Sequence, residues 1–186
     1  DRRLYQTIQC EYLPYKYADG TVTLPNNPPV IASNLPTGFN IMKFHSPDPE
    51  QYTLAYNAHV QWFLYRYAEV LLIYAEAQAE LGKITQEDID ITINKLRNRA
   101  GVAPLDMNNI TPTPAQYKMD YGYSLSDLLY EIRRERLVEL YAEGFRWSDI
   151  CRWRAGKLCE TPLSIYGITV SEEVRKQYDA VYGSSA

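Results

Sequence analysis

No stretch of the sequence stays apolar for longer than Val70–Ala75, far short of the roughly twenty residues that a membrane-crossing helix needs. Nor is there a basic run. The 19 lysines and arginines against 23 aspartates and glutamates leave a formal charge of −4, which argues against a nucleic-acid partner. Cysteine is scarce, and Cys10, Cys151 and Cys159 form an odd set without metal-ligand spacing. Free thiols are therefore expected, with a Cys151–Cys159 bridge as the alternative. The only two histidines, His45 and His59, lie far apart, and neither sits in a metal box. A nucleophile elbow, a P-loop and a dinucleotide fingerprint are also missing, so no cofactor and no metal are expected. The chain opens at Asp1 without a methionine or a signal-like segment, and is expected to be a piece of something longer.

What is present is organised around Arg66–Gly82. This stretch is rich in helix formers and ends in a glycine suited to a left-handed cap. Its apolar residues fall on almost every side of the helical wheel, which predicts a buried helix. Glu69 and Glu76 lie on nearly the same face, with Arg66 one turn ahead of Glu69. Buried carboxylates need cationic or hydrogen-bonding partners, since leaving them unpaired costs several kcal/mol. The partners must come from elsewhere in the chain.

At 186 residues the chain is expected to form one domain. Residues 1–58 form a loop-rich lead-in dense in proline and asparagine, where Leu4–Ile8 and Phe39–Phe44 are β-prone and able to pair. Val60–Tyr65 reads as an extended approach to the central helix. Thr85 is a predicted N-cap, with Asp88 closing a short-armed capping box. Ile89, Ile93, Leu96 and Ala100 follow at helical spacing up to Gly101. The resulting αα-hairpin matches the roughly 34-residue length of a tetratricopeptide unit. After an irregular loop over 102–123, a third helix is predicted from Ser124 or Ser126 to about Glu143, with a shorter one over Arg146–Arg154. Residues 155–186 form an irregular tail with a last helix capped near Ser171.

In the third helix the acids repeat at strict fours, Glu131, Glu135, Glu139 and Glu143. Like charges at that spacing repel unless arginines meet them. We therefore expect a partly buried lattice of Arg66, Glu69, Glu76, Arg97, Arg99, Glu135, Arg136, Glu139 and Arg146 tying the helices together. Of the seventeen tyrosines, roughly three times an average share, Tyr67, Tyr74, Tyr130 and Tyr141 sit in helical patterns and are assigned to the core. Trp62, Trp147 and Trp153 are assigned there too.

Three blocks carry a resemblance. They are Arg66–Ala77, Ile93–Gly101, and Ile132–Leu140 with Glu143–Trp153, and in this order the chain resembles the carboxy-terminal region of the SusD/RagB family of Bacteroidetes. The opening Asp1-Arg2-Arg3-Leu4 is similar to that region's Asp-Pro-Arg-Leu start, departing from it at Arg3 and in the missing proline. The resemblance implies a mainly α, tetratricopeptide-like fold with long loops and a few short strands, and places the signature helices in 59–154. It also implies a non-catalytic outer-membrane lipoprotein on the cell surface, anchored by lipid outside this chain. Such a protein captures oligosaccharides, or peptides in some relatives, and passes them to a SusC-like TonB-dependent transporter.

Sugars are held by aromatic rings against their C–H faces, with polar groups at the edges. The loop tyrosines Tyr12, Tyr15, Tyr17, Tyr117, Tyr121 and Tyr123 are the candidate ligand contacts. Two other readings remain. A glycoside hydrolase needs paired carboxyls with one pKa raised, whereas the arginines beside these acids would lower it. A protein-interaction scaffold fits the helical-repeat pattern.

Overall fold

The computed structural model describes residues 1–9, 15–16, 20, 22–23, 39–44, 46, 48, 51, 59, 63–160 and 171–182. The chain divides into two compact units, one of Asp1–Leu4 with Phe63–Ile165 and one of Tyr5–Trp62 with Tyr166–Ala186. The fold is mainly helical.

The first unit holds the helices. Helix α2, Tyr67–Glu80, ends where Gly82 takes a left-handed φ of 64°, a conformation glycine adopts without steric cost. Thr85 then starts α3, Gln86–Ile91. Its hydroxyl accepts from the Asp88 N–H while the Asp88 carboxylate accepts from the Thr85 N–H. The Thr85 hydroxyl also donates to the Asp88 carboxylate at 2.8 Å, and this bond, with those donated by the Thr85 N–H and by Tyr74, holds Asp88 below the usual carboxylate range.

The single helix predicted after Thr85 is instead two. Thr92 leaves helical geometry (φ −119°, ψ −87°), and α4 runs Ile93–Ala100. The Thr92 hydroxyl donates back to the Asp88 carbonyl, the competition with backbone bonding that bends helices at threonine. Loop 102–110 is irregular yet tied down. The Asn94 side-chain oxygen accepts from the Leu105 N–H at 2.6 Å, and Gln86 Oε1 accepts from the Met107 N–H at 2.9 Å.

Helix α5, Asp127–Glu139, is capped by Ser126 and stops before Glu143, as Ala142 and Gly144 both turn left-handed. Helix α6, Arg146–Arg152, follows. Leu71, Leu72 and Ala75 of α2, Ile89 of α3, Ile93 and Leu96 of α4, and Ile132 of α5 form one apolar core. A second, aromatic cluster gathers Tyr121, Tyr130, Trp153, Ala155 and Leu158.

Helix α2 is not buried all round. Ala68, Leu71, Leu72, Ala75 and Glu76 are buried, while Tyr67, Val70 and Ile73 are more than half exposed, because α3, α4 and α5 pack against one side. Tyr67 and Tyr74 are thus surface residues, Tyr130 is core, and Tyr141 is half-buried. Trp153 is buried but Trp147 is 70% exposed, since α6 turns only one side to its neighbours. Residues 63–66 have no regular structure. Trp62 and the rest of the predicted approach lie outside the described residues, as do His45 and Cys10. Cys151 and Cys159 are free and exposed, without a bridge.

In the second unit the β-prone start is corrected in part. Arg3–Thr7 forms a short helix, α1, which begins in the first unit, and only Ile8–Gln9 (β1) is extended, antiparallel to Asn40–Ile41 (β4). Tyr15–Lys16 (β2) pairs with Val22–Thr23 (β3). The last helix, α7, spans Glu172–Tyr182. Among the described residues no helix is long and apolar enough to cross a membrane.

Candidate functional site

Many charged residues of the signature helices are buried, among them Glu76, Arg97, Glu131, Glu135, Arg136 and Glu139. Glu135, 1% exposed, accepts from Arg3 Nη1 and, at 3.0 Å, from Arg97 Nε. Glu139 meets Arg3, Arg66 and Arg99, and Glu131 meets Arg97 and Arg134. Arg136 Nε donates to both carboxylate oxygens of Asp149, at 3.0 and 2.8 Å. Glu76 accepts from Arg152 and from the Trp153 indole N–H, with Arg133 Nε 3.5 Å away. Burial pushes Glu131 up, but hydrogen bonding and charge from Arg134, with the charge of Arg97, outweigh it and leave this carboxyl below its ordinary range.

Two expected members stand outside this lattice. Arg66, one turn ahead of Glu69, forks onto Glu139 and Glu143, and the Glu69 carboxylate has no partner among the described residues. Arg146 lies with the aromatics, its guanidinium 5.9 Å from the Trp153 ring centroid and 3.7 Å from the Met119 sulfur. Arg3, Glu131, Arg133 and Asp149 were not among the expected members. The four-residue acid spacing already marked Glu131, whereas Arg3 carried no periodic signal.

The aromatic cluster borders an open cleft of about 550 Å³, whose lining includes Glu80, Tyr123, Ser124, Arg133, Arg152 and Arg154. Tyr123, Ser124 and Leu125 also line a neighbouring cleft of about 360 Å³ with Lys118 and Asp120. Tyr123 is 43% exposed. Its hydroxyl donates to the Trp153 carbonyl at 2.6 Å and accepts from Arg133 Nη1 at 2.9 Å, so the ring is held in place with its polar end already satisfied. Behind it, Arg133 lies 4.6 Å from the Trp153 ring centroid and 5.4 Å from that of Tyr121, distances at which a cation is attracted to an aromatic face. Arg133 also donates to Glu80 at 2.6 Å.

Among the expected ligand contacts, Tyr121 and Tyr123 come together and part in role across Gly122. Tyr121 is 2% exposed and packs edge-on against Tyr130 and Trp153. Its ring presents no face to solvent, and burial raises its phenol above the usual range against the opposing charges of Arg146 and Arg133. Tyr117 is 72% exposed in a short 3₁₀ turn and lines neither cleft. Tyr15 sits in β2 opposite Thr23. Tyr12 and Tyr17 lie outside the described residues. Among the described residues no group of histidine, cysteine and acidic side chains is arranged to hold a metal.

This chain is similar to two proteins of Formosa agariphila, SusD-like protein P38 (35% identical over 106 residues, 57% of this chain and 19% of the relative) and SusD-like protein P2 (36% over 91 residues, 49% and 16%). Two solved structures from Bacteroides fragilis resemble it. One is a SusD-like protein with TM-score 0.59 and 27% identity, covering 83% of this chain and 28% of that one. The other, described as a SusD-like carbohydrate-binding protein, has TM-score 0.54 and 30% identity, covering 85% and 30%. The chain therefore spans about a fifth of the length of these curated relatives and less than a third of the solved ones. The sequence pattern of the SusD family matches residues 1–184, and the chain belongs to that family.

Proposed function

We propose that this chain is the carboxy-terminal part of a non-catalytic, cell-surface carbohydrate-binding protein. The full-length protein captures oligosaccharides at the outer membrane, held there by a lipid anchor outside this chain, and passes them to a SusC-like TonB-dependent transporter. The observation that carries the binding role is the open cleft with a fixed, half-exposed Tyr123 ring on its wall. An aromatic plane flanked by serine hydroxyls, a carboxylate and guanidinium groups matches a sugar, which offers an apolar C–H face and a rim of hydroxyls. Family membership and the carbohydrate-binding relative support the same reading.

Hydrolysis of the bound sugar is disfavoured by the lining. Glycoside cleavage needs two carboxyl groups flanking the bond, one protonated at working pH. Among the described residues this cleft has one acid, Glu80, and it is paired with Arg133.

Calorimetric titration of the full-length protein against a panel of host and plant oligosaccharides, with a peptide pool as control, tests the reading. The expected result is heat from one glycan class with no shorter sugars released. Heat from peptides alone would move the protein to peptide capture. Silence in both arms would favour a protein-interaction scaffold.

A further inference from the structure

We propose that the cleft selects an anionic sugar, with Arg154 pairing its carboxylate or sulfate group. This inference rests on the carbohydrate reading above and narrows it to a charged ligand class.

The three arginines that line the cleft differ in what they already hold. Arg133 is committed to Glu80 and Tyr123, with Glu76 close by. Arg152 is committed to Glu76 and Asp149. Arg154 is exposed, and its guanidinium has no hydrogen bond or ion pair among the described residues. It is the cation of this wall whose charge is left for a ligand. A guanidinium offers a planar fork of donors suited to the two oxygens of a carboxylate or sulfate.

The backbone at Arg154 sharpens the point. Helix α6 closes with the Ala155 N–H donating to the Ile150 carbonyl at 3.0 Å and the Arg154 N–H to the Cys151 carbonyl at 3.1 Å. That pair of bonds is the helix-ending turn whose left-handed position normally goes to glycine. Arg154 occupies it with φ 54°, a conformation that disfavours any residue bearing a Cβ. A long, charged side chain is therefore kept where the fold alone would prefer none, the situation in which local strain points to function.

The neighbouring groups complete a sugar site. The Tyr123 ring stands on the same wall with its hydroxyl already bonded at both ends. The Ser124 hydroxyl has no partner among the described residues, and Glu80 uses only one oxygen toward Arg133, leaving the other to accept from a sugar hydroxyl. A single sugar unit could thus stack on Tyr123, hydrogen-bond Ser124 and Glu80, and place its acid group on Arg154.

The alternative role for Arg154 is purely structural, as a cation at the carbonyl end of α6, where the helix dipole favours positive charge. The two roles predict opposite results for Arg154→Gly. Under the proposal the variant relieves the backbone, so its melting temperature holds or rises while anion selection is lost. Under the structural role its melting temperature falls.

The test titrates the full-length protein with three oligosaccharides of equal length, one carrying uronate carboxylates, one sulfate esters and one neutral, at two salt concentrations. The proposal expects at least one charged arm to bind roughly tenfold or more tightly than the neutral arm, the free energy of one charge-assisted hydrogen bond, with the advantage shrinking at high salt. Which charged arm wins distinguishes carboxylate from sulfate. Arg154→Gly should erase the difference between charged and neutral arms, and Arg154→Lys should restore part of it. Equal binding of all three arms, a preference that survives Arg154→Gly, or a lowered melting temperature in that variant would each overturn the proposal. Loss of the charge preference alone leaves the carbohydrate reading standing, whereas no binding in any arm ends both.

Discussion

The lattice between the signature helices and the cleft beside them use the same side chain in opposite ways. In the lattice, Glu139 meets three guanidinium groups and Glu135 two, all but Arg99 held largely away from water. At the cleft, Arg154 faces solvent with no partner among the described residues. Buried charge is tolerated only when paired and hydrogen-bonded, so buried lattice arginines such as Arg3 and Arg97 are taken up by their carboxylates. An exposed, unpaired arginine carries no such cost and keeps its full pairing capacity. In this protein an arginine's role follows from what has already been placed opposite it.

The comparison can be broken most sharply at Glu135. Glu135→Ala leaves Arg3 and Arg97 without this buried carboxylate and is expected to cost about 3–5 kcal/mol, measured by chemical denaturation. A cost below about 1 kcal/mol would mean the lattice is no more than a set of surface pairs.

Acid should dismantle the same region. Because Glu131 lies below its ordinary range in the folded chain, its contribution is present above the unfolded carboxylate pKa and is lost as pH falls through the folded one. Melting temperature should therefore decline as pH drops below the ordinary glutamate range, and the decline should weaken in Glu131→Gln.

At the border between lattice and cleft, Trp153→Phe removes the indole N–H that Glu76 accepts. A lost hydrogen bond to a charged group predicts about 1.5–3 kcal/mol. The same denaturation assay reads it, and an unchanged midpoint would show that Arg152 alone satisfies Glu76. Away from both regions, Thr85→Ala deletes the capping box of α3 and should cost about 1 kcal/mol. Full stability in that variant would mean the cap is dispensable once the hairpin is packed. Smallest, and opposite in sign, Arg154→Gly should gain about 0.5 kcal/mol, the relief of a left-handed arginine less the added chain entropy and the lost dipole contact.

Much of the helical unit is legible in the sequence because its signals are local. The Thr85 and Asp88 pair, the Ser126 cap, Gly82 and Gly101, and the four-residue acid spacing each depend on neighbours within one or two turns. What was not legible depends on distant partners. Arg3 reaches Glu135 across 132 positions, and nothing in its local sequence announces that. The burial of Tyr121 beside the exposure of Tyr123 is decided by Trp153, Tyr130 and Arg133, which approach from other elements. The open side of α2 follows the same rule. Tyr67, Val70 and Ile73 read as core because they are apolar, yet the helices of this unit pack against the other side.

The candidate site was legible only in kind. Loop tyrosines could be named from the chemistry of sugar stacking, but not sorted, since a loop has no period to say which ring faces out. Arg154 was hidden for a related reason. A left-handed residue is anticipated where glycine stands, and here the turn after α6 is made by arginine.

The most direct test of the central claim is calorimetric titration of the full-length protein with its best oligosaccharide, repeated for Tyr123→Phe and Tyr123→Ala. Tyr123→Phe keeps the ring and drops the hydroxyl bonds to Arg133 and the Trp153 carbonyl. Tyr123→Ala drops the ring as well. Retained binding in Tyr123→Phe and lost binding in Tyr123→Ala, with both variants folded by melting temperature, is the predicted result. Wild-type binding in folded Tyr123→Ala would contradict it and remove the cleft as the sugar site.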